Sequence, residues 1–337
     1  KPADDTSYQV DQSYFHFANF YRGAYSAKFL AAFGPARAQS FRLPQSCLAR
    51  EPSQDPEGQR FADIAASVQL VLEERILELC TTLRAAVPSD NLCYAGGVSL
   101  NCVANQKILT RGPFRNVYVP PDPGDGGTSV GTALSHAAMH GTCEPLALKY
   151  TPYLGAAFDE RPAIEMLPHV KPDHVQRYLK RGHAQPQGLK WEHQVFTAEG
   201  ALCDEVAKRI LEGRIVGWCQ GRAELGPRAL GNRSILIRPD DLALAERLSR
   251  AVKDRALYRP YAFSITSADA PKVLDCPAEH LPFNRWMQYA VPVRPEARAQ
   301  VRAALPLQGQ HLPRLGAPRD IERPLPFQRR HLHRGAQ

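Results

Sequence analysis

Long apolar runs are missing from this 337-residue sequence. No stretch of about 18 apolar residues occurs, and no charged-then-apolar signal segment opens the chain, so a cytoplasmic protein without a membrane partner is expected. Paired-cysteine spacing is missing too. The eight cysteines (Cys47, Cys80, Cys93, Cys102, Cys143, Cys203, Cys219 and Cys276) show neither CxxC nor CxxxC, and several stand inside apolar runs. That excludes a zinc ribbon or a disulfide frame and suggests reduced, buried thiols. A Walker lysine motif is absent, and no strand signal runs into GxGxxG, so neither a P-loop nor a Rossmann domain is supported.

Charge is present in excess but unevenly. The formal net charge is +8, and the segment from Arg298 to Gln337 holds eight arginines against Asp320 and Glu322, a net of +6. A basic tail binds polyanions non-specifically and says little about the rest of the chain. Nucleic acid is therefore not expected as the main partner. From about Arg302 onward, Pro, Arg, His and Gln alternate without apolar periodicity, and no element is assigned.

The most informative stretch is GRAELGPRALGNRS, residues 221–234. Arg222, Arg228 and Arg233 lie among Gly217, Gly221, Gly226 and Gly231, between the strand signals IVGW and SILI. Guanidinium forks match paired oxygens and glycine lets backbone N–H groups come close, so the stretch reads as a cradle for a phosphorylated small molecule. Lys253, Arg255 and Arg259, followed by an apolar segment expected to be a strand, would form a second wall.

Two strand-glycine-helix units precede it. Leu92 to Ala95 leads through Gly96-Gly97 into a helical stretch, Val98 to Leu109. Asn116 to Val119 leads through PPDPGDGGTS into a helix from Val130 to His140. Such turns aim unpaired N–H groups and a helix dipole at an anion. Asp125, flanked by Gly124, Gly126 and Gly127, could face a metal or a ribose. His136 and His140 have zincin spacing but lack the intervening glutamate and a third ligand. A long helix over Ala62 to Ala86 carries Ile64, Val68, Leu72, Ile76, Leu79 and Leu83 on one face and is ended by Pro88. Further helices are expected over Ala198 to Leu211 and Asp241 to Val252. Prolines 145, 152 and 162 mark a domain boundary.

Six runs now resemble one family: FGPARAQ (33–39), DIAASVQLVLEE (63–74), LCYAGGVSLNCVANQKI (92–108), PPDPGDGGTSVGTAL (120–134), IVGWCQGRAELGPRALGNRSIL (215–236) and VKDRALYRPYAFS (252–264). In that order they resemble the O-carbamoyltransferases of nodulation-factor and antibiotic tailoring. The resemblance implies an α/β fold. Residues 1–145 would be the C-terminal part of an actin/sugar-kinase-like (Kae1-like) carbamoyl-transfer domain, followed by a linker over 146–162. An incomplete YrdC-like α/β domain for carbamoyl phosphate and ATP would span 163–301, with an Arg/Pro-rich, disordered tail over 302–337.

It also implies chemistry. Carbamoyl phosphate and ATP give carbamoyl-adenylate, whose carbamoyl group passes to a hydroxyl of a sugar, antibiotic or related acceptor. By position, Arg228, Lys253 and Arg259 would be the catalytic cations on carbamoyl phosphate. Gly96, Gly97 and Asn101, with Gly126, Gly127, Asn232, Arg233 and Ser234, would bind the nucleotide. Asp125 would be a ligand of an iron-type divalent metal. Three departures suggest an impaired catalyst: the family's HxxxH metal histidines, whose positions His136 and His140 do not match, and its NTSFN-type closing run are absent, and Ala256 replaces a glutamate. Enzymes that make threonylcarbamoyl-adenylate for tRNA, or that mature hydrogenases, share the domain types. The domain order, and the lack of acylphosphatase-like or zinc-finger segments, favour the O-carbamoyltransferase. A non-catalytic nucleic-acid-binding protein would rest on the tail alone.

Overall fold

Proline at a first helical position has the right φ and gives up an N–H that would go unpaired there, and a 31-residue helix, α2 (Pro56–Ala86), starts in that way. It begins six residues ahead of the expected Ala62. The computed structural model describes residues 2–3, 7–8, 11–16, 25–35, 56–141, 151–157, 160–169, 192–198, 200–253, 255, 259–304 and 330–334. Upstream are two-residue strands β1 (Pro2–Ala3) and β2 (Ser7–Tyr8) and helix α1 (Ala27–Phe33).

The buried side of α2 differs from the apolar stripe read in the sequence. Glu73, Ile76 and Cys80 are buried, while Val68 is 64% exposed and Leu79 and Leu83 are 40% and 44% exposed. Polar contacts explain the rotation. Gln69 exchanges hydrogen bonds with Asn101 (2.8 and 3.3 Å) and also donates to Glu73 (2.9 Å), whose carboxylate lies 3.9 Å from Lys107. Those grips turn the polar edge of the stripe inward.

Strands β3 (Asn91–Cys93) and β4 (Asn116–Tyr118) pair in parallel, Leu92 opposite Val117. Between them the chain makes one 3-10 turn (Gly97–Leu100) and then helix α3 (Cys102–Arg111). The expected single helix breaks at Asn101 because its side chain accepts from the Ala104 N–H at 3.1 Å, which makes Asn101 the N-cap. After β4 comes α4 (Thr128–Met139). The largest core cluster joins Ile76, Cys80, Leu92, Ile108, Phe114 and Val117 to Phe263, Leu274, Tyr289, Val291, Val293 and Val301. It thus draws on residues from both sides of 146–162. Within it the Tyr289 hydroxyl donates to the Val117 carbonyl at 2.7 Å, and burial pushes the phenol above its ordinary range.

Helix α5 (Glu160–Met166) precedes strand β5 (Glu192–Phe196). A second, small cluster forms where helix α6 (Ala201–Leu211) lays Leu202 and Val206 on Phe196, against Val216 and Trp218. Strands β6 (Val216–Cys219) and β7 (Arg233–Leu236) pair antiparallel, Cys219 opposite Arg233, so 220–232 is the hairpin loop they flank. The helix expected over 241–252 is α7 (Leu242–Arg247) continued by a π-helical turn, Leu248–Lys253. The segment after Arg259 forms no ladder strand; Phe263 enters the main core instead. Helix α8 (Ala270–Val273) follows, and β8 (Arg330–Arg334) pairs antiparallel with β5, in a stretch to which the sequence assigned no element. Its RHLHR run has no apolar alternation to reveal a strand. Residues 305–329, the bulk of the basic tail, lie outside the described residues. The fold is mixed helix and strand, as the α/β expectation requires.

Candidate functional site

The carboxyl ends of the parallel pair bring the two glycine turns together. The Gly96 N–H donates to the Pro123 carbonyl at 2.7 Å, and the Tyr94 N–H to the Tyr118 carbonyl at 2.9 Å. A Cβ built on Gly96 or Gly97 meets no atom within 4 Å, so the chain leaves open space in front of both. In the second turn a Cβ on Gly126 or Gly127 would collide with Asp122. Gly127 is therefore required by packing against the Asp122 carbonyl, whereas at Gly126 the Asp122 carboxylate would have to move. Asp125 begins a 3-10 turn (Asp125–Gly127) with its side chain at the surface.

A buried amide relay fixes the turns relative to one another. Asn105 Nδ2 donates to the Ser99 carbonyl (2.7 Å) and the Gln288 carbonyl (2.8 Å). Gln288 Nε2 donates to the carbonyls of Pro120 and Pro121, both at 3.0 Å. Both side chains have no exposed surface. Neither residue was singled out from the sequence, because partners 167 to 183 positions apart leave no local pattern.

The basic hairpin loop sits on these turns. Arg228 Nη2 donates to the Leu100 carbonyl at 3.0 Å, at the end of the first turn. Gly226, at φ +106, lies so close to the second that a Cβ would be 3.0 Å from both Asp122 Cβ and the Pro121 carbonyl oxygen. Only glycine fits both that φ and that approach. The loop's other flank pairs with residues 152–157: Leu225 N–H donates to Pro152 O (2.6 Å), Gly155 N–H to Ala223 O (3.0 Å) and Ala223 N–H to Ala156 O (2.9 Å).

Inside the loop, opposite charges sort the backbone. Glu224 Oε1 accepts the N–H groups of Leu230 (2.8 Å), Asn232 (2.7 Å) and Arg233 (3.2 Å). Arg233 Nη1 donates to the carbonyls of Gln220 (2.7 Å) and Asn232 (2.9 Å), and Nη2 to Gly221 (3.2 Å) and Ala156 (3.4 Å). Arg222 Nη2 donates to Leu154 O at 3.0 Å, and Asn232 Nδ2 to Arg222 O at 2.7 Å. Much of the cradle read from the sequence is thus filled by the protein's own carboxylate, and Asn232 and Arg233 hold the loop. Ser234 lies in β7, paired with Trp218. Burial raises the Glu224 pKa, but the N–H groups of Asn232, Glu224 itself, Leu230 and Arg233 outweigh it and hold the carboxyl below the ordinary glutamate range. The charged form therefore stabilises the fold above the ordinary glutamate value, and that contribution is lost as pH falls through the lowered native one.

A second basic group stands at the end of the π-helical turn. Partial burial pulls the Lys253 ammonium below its usual range, and the nearby Arg255 and Arg259 guanidinia add to the effect. Arg255 lies 3.8 Å over the Tyr261 ring and donates to the Arg259 carbonyl at 3.1 Å. The structure thus unites Gly96, Gly97, Asn101, Asp125, Gly126, Gly127 and Arg228 around the paired turns, and Lys253 with Arg259 in a second basic group. Glu224 is the loop residue that sequence reasoning missed; the signal for it was a lone acid inside an arginine-glycine run. His136 and His140 are exposed at the end of α4, ring centroids 4.3 Å apart. Among the described residues no three His, Cys, Asp or Glu side chains gather as a metal set, so Asp125 is at most one ligand. No helix among those residues is long and apolar enough to cross a membrane.

Glycine turns at the carboxyl ends of parallel strands, closed by a basic loop, form an arrangement able to hold a small anion. The chain belongs to the carbamoyltransferase family: profiles of the carbamoyltransferase N-terminus and C-terminus match residues 3–134 and 207–310. It is 33% identical over 261 residues to an uncharacterised Synechocystis protein, a match covering 77% of this chain and 38% of that one. Identity to nodulation protein NolO of Bradyrhizobium diazoefficiens is 30% over 295 residues, covering 86% and 48%. Identity to the 3'-hydroxymethylcephem-O-carbamoyltransferase of Amycolatopsis lactamdurans is 31% over 205 residues, covering 60% and 34%. The chain therefore spans about a third to a half of the length of these relatives.

Proposed function

We propose that the chain serves O-carbamoyl transfer, with carbamoyl phosphate as donor, ATP as co-substrate and a hydroxyl-bearing small molecule as acceptor. In this reading water cleaves carbamoyl phosphate to carbamate and phosphate, a carbamate oxygen displaces pyrophosphate from the α-phosphorus of ATP to give carbamoyl-adenylate, and the acceptor oxygen then takes the carbamoyl group with release of AMP. The observation that carries it is the docking of the Arg228 loop on both glycine turns. The open face of Gly96 and Gly97 gives nucleotide phosphates room, with Asn101 capping the helix behind and Gly126, Gly127, Asn232, Arg233 and Ser234 shaping the surrounding loops. Arg228, Lys253 and Arg259 take the donor phosphate, where fixed guanidinium and ammonium groups stabilise leaving-group charge without reorganising. Asp125 is the ligand this chain would bring to a divalent metal.

Family membership and the cephem O-carbamoyltransferase relative support this reading, in which the chain carries a Kae1-like part followed by a YrdC-like part. A cytoplasmic setting, where ATP is plentiful, goes with it. The test is carbamoyl-phosphate-dependent exchange of labelled pyrophosphate into ATP, together with titration of carbamoyl phosphate against Arg228→Ala. Exchange above background, and an affinity loss of about tenfold or more for the variant, is the expected result. Absence of exchange with equal affinities of variant and parent would overturn the proposal.

A further inference from the structure

We infer that Glu224 is a positioning residue for the anion site: its carboxylate folds the loop so that Arg228 is presented at the glycine turns. The inference rests on the reading that Arg228 binds a phosphate-type anion. One oxygen, Oε1, collects the N–H groups of Leu230, Asn232 and Arg233 and so closes residues 225–229 into a ring over a single carboxylate. Arg228 lies within that ring, with Gly226 against Pro121 and Asp122 on one side of it. Arg233 completes the arrangement from the carbonyl side through Gln220, Gly221 and Asn232. An ionised acceptor makes shorter, stronger bonds to amides than a neutral one, so removing the charge loosens the ring and with it the direction of the guanidinium.

The sign of the effect separates positioning from simpler roles. Coulomb's law makes an acid beside an anion site repulsive, so neutralising a bystander carboxylate tightens anion binding. The same tightening is expected if Glu224 merely fills a nest of N–H groups that the ligand needs. Positioning predicts the opposite.

The full chain is titrated with carbamoyl phosphate, and with inorganic phosphate as a bare anion, for the parent, Glu224→Gln, Glu224→Ala, Arg228→Ala and the double variant Glu224→Ala/Arg228→Ala. Glu224→Ala is expected to weaken binding about tenfold and Glu224→Gln about threefold, since the amide oxygen still accepts. In the Arg228→Ala background the Glu224→Ala change adds no further loss. Hydrogen exchange supplies a readout independent of ligand. The amides of Leu230, Asn232 and Arg233 exchange faster in Glu224→Ala, while those of Ile108 and Leu109 in α3 keep their protection and show the chain folded. Should Glu224→Ala not fold, Glu224→Gln carries the same test. Unchanged or tighter binding in the Glu224 variants, with Arg228→Ala weakened, overturns the inference and leaves the anion site standing. If Arg228→Ala is itself unaffected, the anion site fails and the inference with it.

Discussion

The two strand-glycine-helix units are alike in sequence and opposite in burial. In the first, six of the ten residues of α3 are buried: Cys102, Ala104, Asn105, Gln106, Ile108 and Leu109. In the second, none of the twelve in α4 is. The first helix returns to the sheet as the crossover between β3 and β4, under α2 and the segment around Tyr289. The second leaves the last strand of that pair, and no described element covers it. The two glycine turns are therefore anchored from different sides. The first turn stands on a packed helix; the second is held from its front edge, through Pro120, Pro121 and Asp122.

Substitutions can break or sharpen that contrast. Ile108→Ala removes a side chain with no exposed surface and is expected to cost about 3 kcal/mol in urea unfolding. Leu134→Ala in α4 should cost less than about 1 kcal/mol; equal losses would mean that the two helices are anchored alike. Gln288→Leu tests the front-edge anchor. Two prolyl carbonyls would lose a buried donor, an expected destabilisation of about 2 kcal/mol. Asn101→Ala removes the N-cap of α3 and should cost about 1 kcal/mol in the same measurement. Met139→Ser, at a position 74% exposed, should stay within about 0.5 kcal/mol. A large loss there would reveal a covered face.

Much of this was legible in the sequence because it is local. The glycine pairs, the strand signals around them and the arginine loop each occupy a few adjacent residues. Their elements formed within a few positions of the expected ones. The rotated face of α2 was not legible, since Val68 and Leu79 belong to the apolar period while Gln69 and Glu73, which do not, find polar partners on and beside α3. Asn105 and Gln288 resemble any other amides until the fold brings them together. The loop illustrates a different limit. Residue types showed that it handles opposite charge, but not that its own Glu224 satisfies part of it.

The clamp made by Gln288 also has a consequence for synthesis. Its partner Pro120 leaves the ribosome 168 residues earlier. At about 5–20 residues per second, the glycine turns wait about ten to thirty seconds for the segment that fixes them. Tyr289 reaches Val117 across a similar separation of 172 residues. Contacts this distant make closure of the chain slow compared with helix formation, so the turns are assembled early and completed last.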